Sequence, residues 1–140
     1  MDFRRSQFIG EAGFRGAEFC GLTQFGEAQF IGRADFSDAQ YSEKLDFVGV
    51  IFIGKVNFSG AQFNKETQFV GTHFKEETQF VGAQFNGEIR FWHAPFSKTA
   101  DFSYAEFSQK ADFSYAQFSE TADFSYATFL SHVVFTHLSL

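Results

Sequence analysis

The sequence predicts an all-β solenoid that occupies residues 1–140 as one domain. Its 24 Phe residues lie on one lattice, from Phe3 to Phe135, whose steps alternate between 5 and 6 residues. Tyr41 fills the single vacant lattice position. Two residues before each lattice position, from Ala12 onward, stands only Ala, Thr, Val, Leu or Ile. These two rows indicate a continuous apolar interior.

Each lattice residue and the small residue two positions before it form one repeating unit. This spacing indicates a strand in each unit, because side chains at i−2 and i of an extended chain share a face. Spacings of 5 and 6 do not build the i, i+3, i+4, i+7 stripe of an amphipathic helix. Each unit is therefore a very short strand, and about 25 of them follow one another.

The residues after each lattice position indicate that the chain turns a corner there. They are mostly Ser, Gly, Asn, Asp or charged, as in Phe36-Ser-Asp and Phe85-Asn-Gly. Gly recurs about two residues after the lattice position, as at Gly16 and Gly54. We expect these glycines to supply positive φ where the chain turns. One unit cannot bury its Phe alone, so coils must stack.

These units resemble the pentapeptide repeat, which has a small residue, a polar residue, a central Leu or Phe and two polar residues. Three examples are Ala34-Asp35-Phe36-Ser37-Asp38, Ala61-Gln62-Phe63-Asn64-Lys65 and Ala100-Asp101-Phe102-Ser103-Tyr104. The resemblance extends from Met1 to about Thr136. It implies a right-handed quadrilateral β-helix with four units per coil, the central residue and its i−2 partner filling the bore.

This chain departs from that pattern by one extra residue in every second unit. We expect the extra residues, most of them long and charged, on outward corners; they are Glu11, Leu22, Arg33, Lys44, Lys55, Glu66, Glu77, Glu88, Thr99, Lys110 and Thr121. The resulting period of 11 residues fits either a flattened coil of 11 or a four-sided coil of 22.

Outward residues favour the larger coil. Ile9, Ile31 and Ile53 are 22 residues apart, as are Val48, Val70 and Trp92. We therefore expect about 6 coils of about 22 residues, roughly 30 Å long from the strand spacing. The four sides of this coil are named faces one to four. The first lattice residue is Phe8 on face one, Phe14 on face two, Phe19 on face three and Phe3 on face four.

Composition and charge exclude several classes of function. The net charge of −6 argues against direct nucleic-acid binding, and no apolar run is long enough for a membrane span. The single Cys20 and a lattice that begins at Phe3 suggest a cytoplasmic protein. The inward positions after the first coil are apolar or Thr, so we expect no catalytic residues and no enzyme. The four His residues are interpreted as surface residues, and no cofactor or metal is expected.

Two groups of residues are candidates for contacts with another protein or another copy of the chain. The first, the apolar patch, combines outward residues of adjacent faces one and four: Ile9, Ile31, Val48, Ile51, Ile53, Val70, Trp92 and Pro95. The second is an apolar C-terminal end, a candidate for end-to-end contact: Val134, Phe135, Leu138 and Leu140. Strand propensity alone is the competing explanation for the β-branched residues of the patch.

The sequence thus predicts a non-enzymatic structural or protein-interaction solenoid. The family resemblance also implies an alternative, because some pentapeptide-repeat proteins are thought to mimic duplex DNA and bind a type II topoisomerase (gyrase). Outward acids on faces two and four fit it: Asp35, Asp38, Asp46, Asp101, Asp112 and Asp123. At other positions we expect the Tyr41 hydroxyl to bond a backbone group, Tyr104 to stack on Tyr126, and Tyr115 to lie beneath His93.

Overall fold

A computed structural model describes residues 1–138, which form four parallel sheets of six strands each. Neighbouring strands of a sheet are one coil apart: Phe8 is in register with Phe30, and Phe63 with Phe85. The four-sided coil of about 22 residues is therefore confirmed, and the flattened coil of 11 is wrong. In the described residues all regular structure is strand, with no helix.

Strands of faces one and three end on the lattice residue. Face one comprises Gln7–Phe8, Gln29–Phe30, Ile51–Phe52, His73–Phe74, Pro95–Phe96 and Gln117–Phe118. Face three comprises Glu18–Phe19, Gln40–Tyr41, Gln62–Phe63, Gln84–Phe85, Glu106–Phe107 and Thr128–Phe129.

Strands of faces two and four end one residue before the lattice residue. Face two comprises Ala12–Gly13, Ala34–Asp35, Val56–Asn57, Thr78–Gln79, Ala100–Asp101 and Ala122–Asp123. Face four comprises Thr23–Gln24, Leu45–Asp46, Thr67–Gln68, Ile89–Arg90, Ala111–Asp112 and Val133–Val134, and a bridge from Asp2 to Gln24 extends it. The alternation of 5- and 6-residue steps along the lattice thus corresponds to two kinds of face, which differ in where the strand ends relative to the lattice residue.

A β-turn follows faces two and four. The amide of Ala39 donates a hydrogen bond of 3.1 Å to the carbonyl of Phe36, and Asp38 between them has a φ of 57°. A positive φ at the third turn residue alone is the type II pattern, which favours Gly. Among the described residues, the third turn position is Gly in five turns and a residue with a side chain in eight others.

Three of the remaining corner glycines, Gly32, Gly54 and Gly87, lie against the backbone of the preceding coil instead, so the expectation of positive φ at all corner glycines is wrong. Gly32 and Gly54 follow face one and do not have positive φ. A β-carbon on Gly54 would lie 2.6 Å from the carbonyl oxygen of Gly32 in the preceding coil. Glycine is needed there because the two backbones approach closely.

The Phe lattice forms the core. Rings stack along each face, as between Phe47 and Phe69, whose centroids are 5.0 Å apart with planes 4° from parallel. Neighbouring faces meet edge to face, as between Phe47 and Phe58 at 5.6 Å and 83°. Both arrangements are favoured by aromatic quadrupoles. The small i−2 residues, such as Ala61 and Val50, fill the space between rings and are fully buried.

Tyr41 differs from the prediction. Its ring stacks between Phe19 and Phe63 at 4.8 and 5.2 Å, but its buried hydroxyl has no hydrogen-bond partner within residues 1–138. Burial raises the pKa of this hydroxyl well above its usual value. The interior does not exclude such a bond, because the buried Thr72 hydroxyl donates one of 2.7 Å to the Phe47 carbonyl; the Tyr41 hydroxyl, at the far end of its ring, reaches no such group among the described residues.

The extra residues of alternate units point outward as predicted, and several pair with the next coil. Lys55 contacts Glu77 at 3.3 Å, and Lys44 contacts Glu66 at 3.9 Å. These are solvent-accessible ion pairs, which contribute little to stability on their own.

Candidate interaction surface

Three of the four isoleucines of the apolar patch form one outward column. Backbone bonds from Ile31 to Phe8 and from Ile53 to Phe30 place Ile9, Ile31 and Ile53 in the same position of three successive coils. All three are exposed, Ile9 by 75%, Ile31 by 39% and Ile53 by 40%. This column follows face one, on the side next to face two.

Val48, Val70 and Trp92 form a second column, at the turn between faces four and one. The amide of Gly49 bonds the Val70 carbonyl, and the amide of Gly71 bonds the Trp92 carbonyl, which fixes their stacking. The valines are half-buried, whereas Trp92 is 43% exposed. A large apolar ring is thus held in contact with solvent.

The two columns therefore follow opposite margins of face one. They share one coil, in which Val48, Ile51 and Ile53 follow one another, and Ile51 lies in the strand between the margins. Above and below Ile51 the strand positions are His73 and Gln29. The geometry links the columns through this coil alone.

Pro95 lies one coil beyond His73 on face one and is half-buried. It has no backbone N–H, so it cannot make the bond that His73 donates to the Val50 carbonyl one coil earlier. Only Phe74 and Phe96 remain in register between these two strands. Face one thus has a local interruption of pairing beside Trp92.

An aromatic ladder extends from Trp92 along the same corner. His93 stacks on Tyr115 with centroids 4.6 Å apart, and Tyr115 stacks on His137 at 4.7 Å. The indole of Trp92 lies 5.1 Å from His93 and 6.3 Å from Tyr115. The position of Tyr115 beneath His93 is confirmed. The candidate patch omitted His93, Tyr115 and His137, although their spacing of 22 residues was the signal that could have found them.

A second aromatic pair occupies the opposite corner. Tyr104 and Tyr126 follow face two and stack with centroids 5.0 Å apart, as predicted. Both are more exposed than Tyr115, at 62% and 79%. Both also have positive φ, a backbone conformation that is unfavourable for a residue with a side chain.

Five of the six acids on faces two and four accept a hydrogen bond from the turn that follows them, and the sixth, Asp38, is itself a turn residue with positive φ. Oδ1 of Asp101 accepts a hydrogen bond of 2.9 Å from the amide of Ser103, and Asp123 does the same for Ser125 at 2.8 Å. Asn57 takes this role without a charge. The hydrogen bonds from Ser125 lower the pKa of Asp123. These carboxylates therefore hold the turn that follows them and remain at the surface.

At the C-terminal end, the last coil is only partly covered. Phe135 stacks on Phe113 at 5.2 Å yet is 38% exposed, and Val134 pairs with Asp112. Leu138 is half-buried against the core. Leu140, the fourth residue proposed for end-to-end contact, lies outside the described residues.

A charged cleft of about 560 Å³ opens on the first coils at the turn after face four. Four of its five charged side chains are paired, Arg4 with Asp2 at 2.8 Å and Arg5 with Glu27 at 3.3 Å, whereas Asp46 makes no ion pair within the described residues. The hydrogen bonds from the Arg4 side chain and amide lower the pKa of Asp2 to about 2. The cleft therefore presents two ion pairs and the Asp46 carboxylate.

Within residues 1–138, no group of three or more His, Cys, Asp or Glu side chains is arranged to hold a metal ion. In the same part of the chain there is no helix with the length and apolar character needed to cross a membrane.

The repeat matches a known protein family. The family model described as pentapeptide repeats (9 copies) matches residues 2–40, 47–95 and 91–138. Among solved structures, the chain is similar to trypsin-treated QnrB1, a plasmid-mediated fluoroquinolone resistance protein, with 14% identity over 89% of each chain and a TM-score of 0.23. A search of curated proteins finds no match.

Proposed function

The chain belongs to the pentapeptide-repeat family, and on that basis we propose that it is a non-enzymatic, protein-binding solenoid that uses the apolar patch as its interface. Trp92 carries this proposal, because a 43% exposed indole at the end of a column with the half-buried Val48 and Val70 is typical of a binding surface. The partner is another protein or a second copy of this chain, and binding involves neither nucleic acid nor membrane.

The rigidity of the core supports this role. Rings stacked through every coil fix the faces relative to one another, so the patch is presented without a folding cost on binding. The local loss of pairing at Pro95 places an irregular edge next to Trp92. An exposed Cys20 is consistent with a reducing compartment, and we propose a cytoplasmic location.

Self-association through the coil ends is part of the same proposal. Val134, Phe135 and Leu138 would contact a second copy, because the outer strands of each sheet carry unpaired backbone groups that another copy can satisfy. The partly exposed Phe135 ring supports burial at this end.

The test compares two variants with a matched control. Ile53→Lys and Trp92→Ala remove the two exposed margins of the patch, whereas Ser42→Lys introduces the same charge at the corresponding position after face three. We expect sedimentation velocity or partner binding to change for the first two variants and not for Ser42→Lys. If all three behave like the wild type, the patch is not the interface.

The DNA-mimic alternative remains a second candidate, supported by the net charge of −6. The face-two row of strand residues weakens it, because Asn57 and Gln79 interrupt the acids Asp35, Asp101 and Asp123. Inhibition of gyrase supercoiling by the purified protein would favour this candidate over the apolar interface.

A further inference from the structure

The turn after face four has one position without a side chain in a column that otherwise carries them. The residue directly after each face-four lattice residue is, in successive coils, Arg4, Gly26, Val48, Val70, Trp92, Ser114 and Thr136. Gly26 is the one glycine of this column. The charged cleft on the first coils opens beside it and is lined by Arg4, Gly26 and Val48 among others.

Neither of the two structural roles that glycine has in this chain explains Gly26. Its φ is not positive, unlike that of Gly49 in the turn of the next coil. A β-carbon at Gly26 would meet nothing closer than 3.7 Å, which is ordinary van der Waals contact, whereas one at Gly54 would lie 2.6 Å from the Gly32 backbone. The fold therefore accepts a side chain at Gly26, and the absence of one leaves room in the cleft.

Two oxygen atoms of the next coil border this room. Oδ2 of Asp46 and the carbonyl oxygen of Val48 each lie 3.7 Å from the β-carbon position of Gly26. Oδ1 of Asp46 accepts a hydrogen bond of 2.7 Å from the Val48 amide, and Oδ2 accepts none within residues 1–138. The Val48 carbonyl accepts a bond of 2.9 Å from the Glu27 amide and has a second lone pair. Two acceptors with spare capacity therefore lie beside Gly26.

The bases near Asp46 are paired with other acids. Arg4 donates from Nε and Nη2 to the two carboxylate oxygens of Asp2, at 2.9 and 2.8 Å. Lys44, which borders a second, smaller cleft together with Asp46, contacts Glu66 at 3.9 Å instead. The lining of the charged cleft contains three acids and two bases, so its charge favours a cationic ligand.

We propose that this cleft binds the ammonium group of a lysine side chain from a protein partner, with the nitrogen bonded to Asp46 Oδ2 and the Val48 carbonyl oxygen. An ammonium group carries three donors, so it can bond both oxygens at once. The methylene stem of the lysine would lie on apolar surface, because Cγ of Arg4 is 3.8 Å from the β-carbon position of Gly26 and Val48 lines the same cleft.

Other cations complement the cleft less well. The guanidinium of arginine pairs best with two free carboxylate oxygens, and only Oδ2 of Asp46 is free, since Oδ1 accepts the bond from the Val48 amide. A divalent metal ion takes several oxygen ligands, and the other two acids of the cleft are paired with arginines. The cleft therefore suits a single point charge on an apolar stem.

The assignment of this lysine to a protein rests on the proposed protein-binding function, whereas the binding of the ammonium group does not. Val48 is the one residue that the cleft shares with the apolar patch, and Gly26 lies on the side of Val48 away from Val70 and Trp92. The experiment uses the isolated chain without a partner, so the lysine site and the apolar interface can fail separately.

The experiment is an NMR titration of the ¹⁵N-labelled full chain, at low ionic strength, with N-acetyllysine amide, N-acetylarginine amide and butylammonium. We expect the lysine probe to shift the Gly26 and Val48 amides saturably, to bind more tightly than the arginine probe and to bind at least as tightly as butylammonium. Asp46→Asn removes the charge and keeps the turn, as Asn57 does. The lysine probe should bind this variant about fivefold more weakly, the factor for an accessible charge pair of about 1 kcal/mol.

Gly26→Val is the second variant, because it fills the open position with the side chain that the next coil carries there, and it should weaken binding as well. Asp101→Asn is the matched control, since Asp101 holds the same turn on face two but has Val81 where Asp46 has Gly26. It should bind the lysine probe like the wild type.

Four results would overturn the proposal. The first is the absence of a saturable shift at Gly26 in the wild type. The second is wild-type binding by either cleft variant, and the third is equal weakening by Asp101→Asn and Asp46→Asn. The fourth is tighter binding of the arginine probe or of butylammonium than of the lysine probe; the latter would assign the cleft to a small free amine.

Discussion

The rings of Phe47 and Phe69 are one coil apart in the chain and lie nearly parallel, 5.0 Å from centroid to centroid. Both are fully buried, and Phe69 in turn stacks on Phe91 at 5.0 Å. This contact transmits the position of each coil to the next, which is how a chain of two-residue strands forms one rigid rod.

Replacing Phe69 by Ala should therefore lower the free energy of unfolding by about 3–5 kcal/mol, because it leaves a cavity within a continuous stack. Urea unfolding measures the change. Phe135→Ala is the control, since that ring is 38% exposed and stacks on one side only, so its loss should be smaller. Equal effects of the two variants would contradict this view of the core.

Tyr41→Phe should stabilise the protein. The buried Tyr41 hydroxyl has no partner in residues 1–138, and an unsatisfied buried polar group costs about 1–3 kcal/mol. The thermal midpoint should rise for this variant, whereas Tyr115→Phe, which removes an exposed hydroxyl, should leave it unchanged. A fall in the midpoint of Tyr41→Phe would mean that the hydroxyl has a partner after all.

Gly54→Ala should destabilise the protein, because its β-carbon would lie 2.6 Å from the Gly32 backbone. Overpacking of this kind typically costs about 1–3 kcal/mol. Gly10→Ala is the matched control at the same corner of the first coil, where no described atom lies within 4 Å of the β-carbon position. Unfolding curves of the two variants that coincide would rule out the close approach.

The turn acids should make stability depend on pH. Burial acts to raise the pKa of Asp35, but hydrogen bonds from the Ser37 hydroxyl and amide outweigh it, so the pKa lies below its ordinary value of 3.8. Its contribution is then present above the unfolded pKa and is lost as pH falls through the folded pKa.

Asp35→Asn should keep the turn, as Asn57 does for Ser59, and remove this titration. The stability of the variant should therefore fall less between neutral and acid pH than that of the wild type. Denaturant unfolding at several pH values tests this, and identical pH dependence in the two proteins would contradict it.

Much of the fold was predictable because each coil repeats the same chemistry. The spacing of Ile9, Ile31 and Ile53 in the sequence is enough to indicate the coil of 22 residues. The two roles of glycine were not predictable in this way. Gly16 and Gly54 follow lattice residues at the same distance, and only the backbone shows that one needs positive φ and the other a close approach.

For the candidate interaction surface, the sequence predicts which residues stack in one column but not how their side chains contact one another. Register alone placed Trp92 above Val70, but the ladder that His93, Tyr115 and His137 build beside it depends on how side chains at positive φ project. The unpartnered hydroxyl of Tyr41 depends on which backbone groups lie near the end of its ring, and periodicity does not encode this.

Site-specific photo-crosslinking tests the central claim, that the apolar patch is the interface, most directly. A photoreactive amino acid replaces Ile53 in one protein and Ser42 in another, which are exposed positions after faces one and three. We expect the protein labelled at position 53 to form a discrete adduct with another protein or a second copy, and we expect Trp92→Ala to reduce the amount of this adduct. Equal adducts from positions 53 and 42, or none from position 53, would contradict it.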